Sequence, residues 1–237
     1  MDKKVEYSIM LLLSLIFISA FVLLQIQEQP AAEKVPVTCS KNPEQSRIVL
    51  PEPDYRGKVL EDAILERRTM RDYSAEELSI QEISMILWAG QGITDEAGLR
   101  AAPSAGATYP IDLYVIPNRI ENISCGIYRY VPGEHSLILV KEGEFSEEMY
   151  ALSYGQAHVR DAATLVVFSA TPERTTGKYG EKGMDFIFME AGHIAQNMLL
   201  ESVSLDLKAG PVGSFDKNGV DELLGTGESI YLIAVGK

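Results

Sequence analysis

The sequence is short of cysteine, of histidine and of positive charge, and each shortage closes off a class of function. Its 237 residues hold 2 cysteines and 3 histidines. Cys39 and Cys125 stand far apart, outside any CxxC or Cys/His pairing, so zinc and iron–sulfur chemistry find no ligand set. A disulfide between them stays open. Glu190 and His193 have the spacing of a di-iron ligand pair, but no second Glu-x-x-His accompanies them, so no metal site is expected. Lysine and arginine number 21 against 34 acidic residues, a formal net charge of −13. Such a chain lacks the broad basic face that nucleic acid or an anionic lipid surface requires. An anionic ligand must be gripped by a local cluster instead. No internal repeat is visible.

Apolar residues are plentiful near the amino terminus. Ile9–Leu24 is uncharged and almost wholly apolar. Extended to Tyr7–Ile26 it offers about 20 helical residues, or about 30 Å, enough to cross the hydrocarbon layer of a bilayer. Residues 1–26 are therefore read as a transmembrane anchor or signal segment; no clean A-x-A cleavage site follows, which favours an uncleaved anchor. Lys3 and Lys4 keep the amino terminus in the cytoplasm by the positive-inside rule and put the domain on the extracytoplasmic side, although Lys34, Lys41 and Arg47 follow the span. Residues 27–56, with Pro30, Pro36, Pro43, Pro51 and Pro53, read as an extended tether. Residues 57–237 then form one domain.

Periodicity within that domain predicts helices at Lys58–Arg67, from a Ser79/Glu82 capping box through Leu87, at Ser146–Val159, at Lys182–Leu205 and at Gly219–Leu224. Strands are expected at Ile111–Ile116, Gly126–Tyr130, Leu137–Val140, Ala163–Ser169, Leu207–Val212 and Ser229–Val235. Helices and strands intermix without regular βαβ alternation, which makes the fold class α+β, a mixed central sheet flanked by helices.

Three stretches carry chemistry. ERRTMRDY places Arg67, Arg68 and Arg71 within five positions, with Thr69 between them. At the end of a helix such charges serve as a cap, or as a phosphate clamp in which guanidinium groups donate in pairs and a hydroxyl adds a donor. RAAPSAGATYP, Arg100–Pro110, is built of small residues, so its backbone N–H groups can approach a flat ligand. AGPVGSFD, Ala209–Asp216, follows an expected strand and can aim N–H groups in the same way. KYG, Lys178–Gly180, is expected in a loop with Thr175, Thr176 and Gly177.

In this order and spacing, ERRTMRDY, APSAGATYP, KYG, EAGHIAQN and GPVGSFD resemble the FMN-dependent nitroreductase superfamily, and within it the SagB-type dehydrogenases that include the azoline oxidases of peptide biosynthesis. The likeness spans Leu50 to Gly236. It implies an FMN-dependent oxidoreductase, a homodimer with flavin at the interface, exchanging hydride between flavin N5 and a small-molecule or peptide-derived substrate. A membrane-tethered flavin-binding protein without independent turnover is the alternative. By the resemblance, Arg67, Arg68, Thr69 and Arg71 hold the FMN phosphate and ribityl chain. Pro103, Ser104, Ala105 and Gly106 reach FMN from the other subunit, and Pro211, Val212, Gly213 and Ser214 form the turn beside the isoalloxazine. Lys178 and Tyr179 match a proton-transferring pair. Many relatives bear further basic residues near the carboxyl terminus; here Lys237 is the candidate.

Overall fold

A computed structural model describes residues 34–39 and 46–237 of the chain. Ile9–Leu24, read as a membrane span, lies outside them. Among the described residues no helix is long and apolar enough to cross a membrane.

The elements run β1 (Arg47–Val49), α1 (Leu60–Glu66), α2 (Ile80–Gln91), β2 (Ile111–Pro117), β3 (Gly126–Val131), β4 (Ser136–Glu142), α3 (Ser146–Leu152) and α4 (Ala157–Asp161). They continue with β5 (Thr164–Ala170), α5 (Glu173–Tyr179), α6 (Gly183–Ser204), β6 (Lys208–Val212), α7 (Lys217–Leu224) and β7 (Glu228–Gly236). The strands form one seven-stranded sheet in the order β1-β4-β3-β2-β5-β7-β6. All six ladders between neighbours are antiparallel. The mixed character expected of the sheet comes down to one isolated parallel bridge, Leu78 to Ile120.

Side chains alternate across a strand, so the central strands feed two cores. On one face Leu113, Val115, Val166, Phe168, Ile233 and Val235 pack with Ile83, Ile86, Ile187, Ile194 and Met198 of α2 and α6. On the other, Tyr114, Ile116, Leu165, Val167, Leu232 and Ala234 pack with Met149, Val159, Val220 and Leu223 of α3, α4 and α7. Strand β5 is buried along its whole length, with both faces covered, as its apolar run Leu165–Phe168 requires.

The capping box forms as expected: Glu82 N–H donates to Ser79 Oγ (3.2 Å) and Ser79 N–H to Glu82 Oε2 (2.6 Å). Two elements differ from the pattern. The helix expected over Ser146–Val159 breaks in two, because Tyr154 (φ 57°) and Gly155 (φ 74°) are left-handed and no helix continues through such residues. The loop expected around Lys178 is helix α5, capped by Gly180 at φ 62°.

The stretch expected as a tether is docked where it is described. Val35–Lys237 forms the compact unit. Within it β1 pairs with β4, Arg47 facing Ile138 and Val49 facing Ser136. Thr38 N–H donates to Asn118 O (2.9 Å) and Arg119 Nη1 to Pro36 O (3.1 Å). Cys39 and Cys125 form a disulfide.

Candidate functional site

The arginine segment leaves α1 at once. Arg67 N–H closes the helix on Ala63 O (3.0 Å), and three residues later Met70 N–H donates to Ala209 O of β6, also 3.0 Å. Strand β6 is an edge of the sheet, so its carbonyl is free to take this bond. The Tyr73 hydroxyl lies 3.1 Å from both Met70 O and Ala234 O, pinning the segment from below. Gly210 is what allows the approach: a Cβ there would stand 2.8 Å from Met70 O and 3.5 Å from Arg71 Cγ. The Arg67–Arg71 segment and the Pro211–Ser214 turn are thereby neighbours.

The three arginines are not equivalent. Arg68 Nη1 donates to Leu65 O (3.0 Å) and Arg67 O (2.7 Å), which makes it a cap on the helix end. Arg47, Arg56, Arg160 and Arg174 each pair with a carboxylate. Among the described residues the Arg67 and Arg71 side chains have no such partner, and Thr69 beside them is exposed. In a chain of charge −13, two uncompensated guanidinium groups beside an exposed hydroxyl suit an anion. Lys237 points elsewhere, its Nζ 3.3 Å from Glu82 Oε1.

On the turn, Pro211 and Val212 are still paired, facing Ile233 and Leu232 of β7. Gly213 and Ser214 are exposed, and Ser214 O accepts from Gln156 Nε2 at 2.7 Å. Two residues along α4, His158 carries a buried Nε2 without a hydrogen-bond partner. Burial and the nearby Arg71 charge hold its pKa below the usual histidine value.

The second grouping lies between α5 and the loop that follows Arg100. Gly106 (φ 60°), Ala107 (φ 53°) and Tyr109 (φ 45°) are left-handed. A Cβ on Gly106 would run into Lys178 Nζ and Tyr179 Oη, so the ends of the Lys-Tyr pair occupy the space that the missing side chain leaves. Lys178 Nζ is 3.5 Å from Gly106 O. Tyr179 stands edge-on to Phe186 of α6, ring centroids 5.1 Å apart. Thr108 and Thr175 hydroxyls meet at 2.7 Å, and Arg174 Nη1 donates to Tyr109 O at 3.1 Å. Four of the five segments singled out in the sequence thus come together two by two, arginines with turn and loop with Lys-Tyr pair.

Comparison with known proteins bears on both groupings. The Nitroreductase family model matches residues 64–237, a span that contains all five segments. The chain belongs to the nitroreductase family. A Methanocaldococcus jannaschii protein named as a nitroreductase is 37% identical over 186 residues, covering 78% of this chain and 94% of that one. The trifolitoxin operon protein TfxC of Rhizobium leguminosarum bv. trifolii is 25% identical over 167 residues, 64% of this chain and 47% of its own length. A crystal structure from Ralstonia eutropha, likewise described as a nitroreductase, superposes with a TM-score of 0.74 at 26% identity, covering 86% of this chain and 95% of that one.

FMN is the cofactor of this nitroreductase-family oxidoreductase, and the residues present fit it. Unpaired Arg67 and Arg71 suit its phosphate, and exposed Gly213, where a Cβ would meet only Tyr231 at 3.8 Å, leaves open backbone on the adjoining turn for a planar group to lie against. Sequence reasoning missed Gln91, which accepts from Arg100 Nη1 at 2.7 Å behind the Pro103–Gly106 loop; a buried amide at the end of an apolar helix was the available signal. Tyr109 and Glu190 lie in segments the sequence did single out.

Proposed function

We propose that this nitroreductase is a homodimeric dehydrogenase of the SagB type, acting on a small-molecule or peptide-derived substrate from a membrane-tethered position. The observation that carries the reading is the pair of uncompensated arginines, Arg67 and Arg71, laid against the edge strand that ends in the Pro211–Ser214 turn. Arg67 and Arg71 would hold the phosphate, and the Pro211–Ser214 turn would flank the ring system. FMN bound there supplies hydride exchange at N5. The protein's own share is orientation and proton handling.

Lys178 and Tyr179 suit the second task. As hydride leaves a substrate carbon a proton must leave its neighbour, and an amine or phenol within reach takes it. Both groups stand at the last turn of α5 against the loop. The likeness to a trifolitoxin operon protein supports a peptide-derived substrate.

Dimerisation is supported by what α6 and α1 leave uncovered. Phe188 and Met189 on α6 are 52% and 58% exposed, and Leu60, Ile64 and Leu65 on α1 are exposed too. Apolar surface of this kind marks an interface. The Cys39–Cys125 disulfide suits an oxidising compartment, which supports an extracytoplasmic domain held by residues 1–26.

The test uses the full chain in detergent. Purified protein should be yellow, bleach with reductant and recolour with an acceptor, while Arg67→Ala/Arg71→Ala should lose FMN by roughly 100-fold in affinity. Riboflavin, which has no phosphate, should bind both proteins alike. Flavin held at full occupancy by the double variant would overturn the phosphate site. Tight FMN that no acceptor reoxidises would leave a flavin-binding protein without turnover.

A further inference from the structure

Helix α5 carries the Lys178-Tyr179 pair and has little of its own to hold it. It runs only from Glu173 to Tyr179, and no side chain caps its amino end. Thr175, Thr176 and Gly177 make up its middle. Two turns of such residues do not stay helical in water by themselves. The place of the pair is therefore set by whatever fastens the helix.

The first turn is fastened to the stretch from Ala105 to Asp112. Thr175 is 1% exposed, and its hydroxyl meets that of Thr108 at 2.7 Å. Thr108 Oγ1 in turn donates to Ala105 O (3.0 Å). A hydroxyl has one hydrogen to give, so Thr175 is the donor to Thr108. Beside it Arg174 Nη1 donates to Tyr109 O (3.1 Å), and Nη2 donates to Asp112 Oδ2 (2.9 Å) in β2. Residues four apart lie one above the other on a helix face. Lys178 thus stands one turn beyond Arg174, and Tyr179 one turn beyond Thr175. The pair's own side chains contribute less hold: Lys178 Nζ lies 3.5 Å from Gly106 O, and the Tyr179 ring meets Phe186 only by its edge.

We propose that Thr175, with Arg174 beside it, is the positioning residue of the Lys178-Tyr179 pair. Its buried hydroxyl contact fixes the first turn of α5 on the loop, and so fixes where the amine and phenol of the next turn stand against Gly106. The inference rests on the proton-handling role proposed for that pair above. The carbonyl that Thr108 holds, Ala105 O, is next in the chain to the one that faces Lys178. One hydroxyl pair therefore sets both sides of the contact.

The test has two readouts on the full chain in detergent. Without flavin, Thr175→Val should speed amide hydrogen exchange in α5 by about tenfold, the effect of losing a buried hydrogen bond, with β5 unchanged. The second readout is the rate at which dithionite-reduced, FMN-loaded protein reduces menadione. Forming the hydroquinone takes a proton at oxygen as well as a hydride, so the rate reads the proton donor. Lys178→Met and Tyr179→Phe should each slow it. Thr175→Val should slow it by about tenfold, as a small misplacement of a reacting group does, and Thr175→Ser should restore it. Added to the Lys178→Met/Tyr179→Phe variant, Thr175→Val should cost nothing more. Unchanged exchange in Thr175→Val overturns the proposal, and so does an unaltered rate, a rate not restored by serine, or a cost that adds to that of the pair variant. Should Thr175→Val fail to fold, Arg174→Gln, at an exposed position, carries the same test. Pair variants as fast as wild type would sink the proton-handling reading itself, and the proposal with it.

Discussion

A carboxyl as buried as that of Glu190 titrates differently folded and unfolded. Burial outweighs the opposing influence of neighbouring Ser104, Arg100 and Gln91, and raises its pKa above the ordinary 4.5. Above pH 4.5 the unfolded chain therefore releases a proton that the folded chain retains. By linkage this contribution to stability falls as pH rises, until the folded group also ionises. Glu190→Gln should remove that slope. In urea unfolding its stability relative to wild type should increase between pH 4.5 and pH 7.5; a constant difference would contradict the assignment. Among single residues, the arginine cluster was legible because charge of that sign is scarce here. That Arg68 serves the helix end while Arg67 and Arg71 stay free was not, since adjacent residues differ only in the direction the backbone gives them. Glu190 was legible as a polar residue on an apolar face, without its neighbours Ser104 and Gln91, which lie 86 and 99 positions away.

Elements with a strong period came through the sequence well: α2 with its capping box, α6, and the strands of both cores. Helix α5 did not. Thr175, Thr176 and Gly177 are weak helix formers, and the helix exists because Thr175 is buried against Thr108. The break at Tyr154-Gly155 was missed because tyrosine rarely takes positive φ. Strand β6 offers the test at this scale. Gly210→Ala would place a methyl 2.8 Å from Met70 O and push the arginine segment off the strand. Overpacking of this kind costs about 1–3 kcal/mol, so FMN affinity in a fluorescence titration should fall about tenfold or more. Full affinity with unchanged thermal stability would show that the close approach is dispensable.

For the whole molecule, the disulfide ties the start of the domain to β3 across a separation of 86 residues. Closing a loop that long restricts the unfolded chain, and such bridges typically contribute about 2–4 kcal/mol. Cys39→Ser/Cys125→Ser should lower the urea unfolding free energy by that amount, and dithiothreitol should reproduce the loss in wild type. No change on reduction would mean that Pro36, Thr38 and Arg119 hold the segment unaided. The stretch containing Cys39 had read as tether, because its prolines carry no apolar period and its contacts are with residues about 80 positions on.

The sequence by itself determined the elements that repeat an apolar period, the α+β class, and the segments that carry the family likeness, because periodicity and local composition are local properties. Tertiary structure alone decided that the arginines lie on the Gly210 strand, that Lys178 and Tyr179 meet Gly106, and that Arg100 bonds to both Gln91 and Tyr109 behind the loop. Those are contacts between distant segments, and they follow from which sheet edge and which helix face the packed core leaves available.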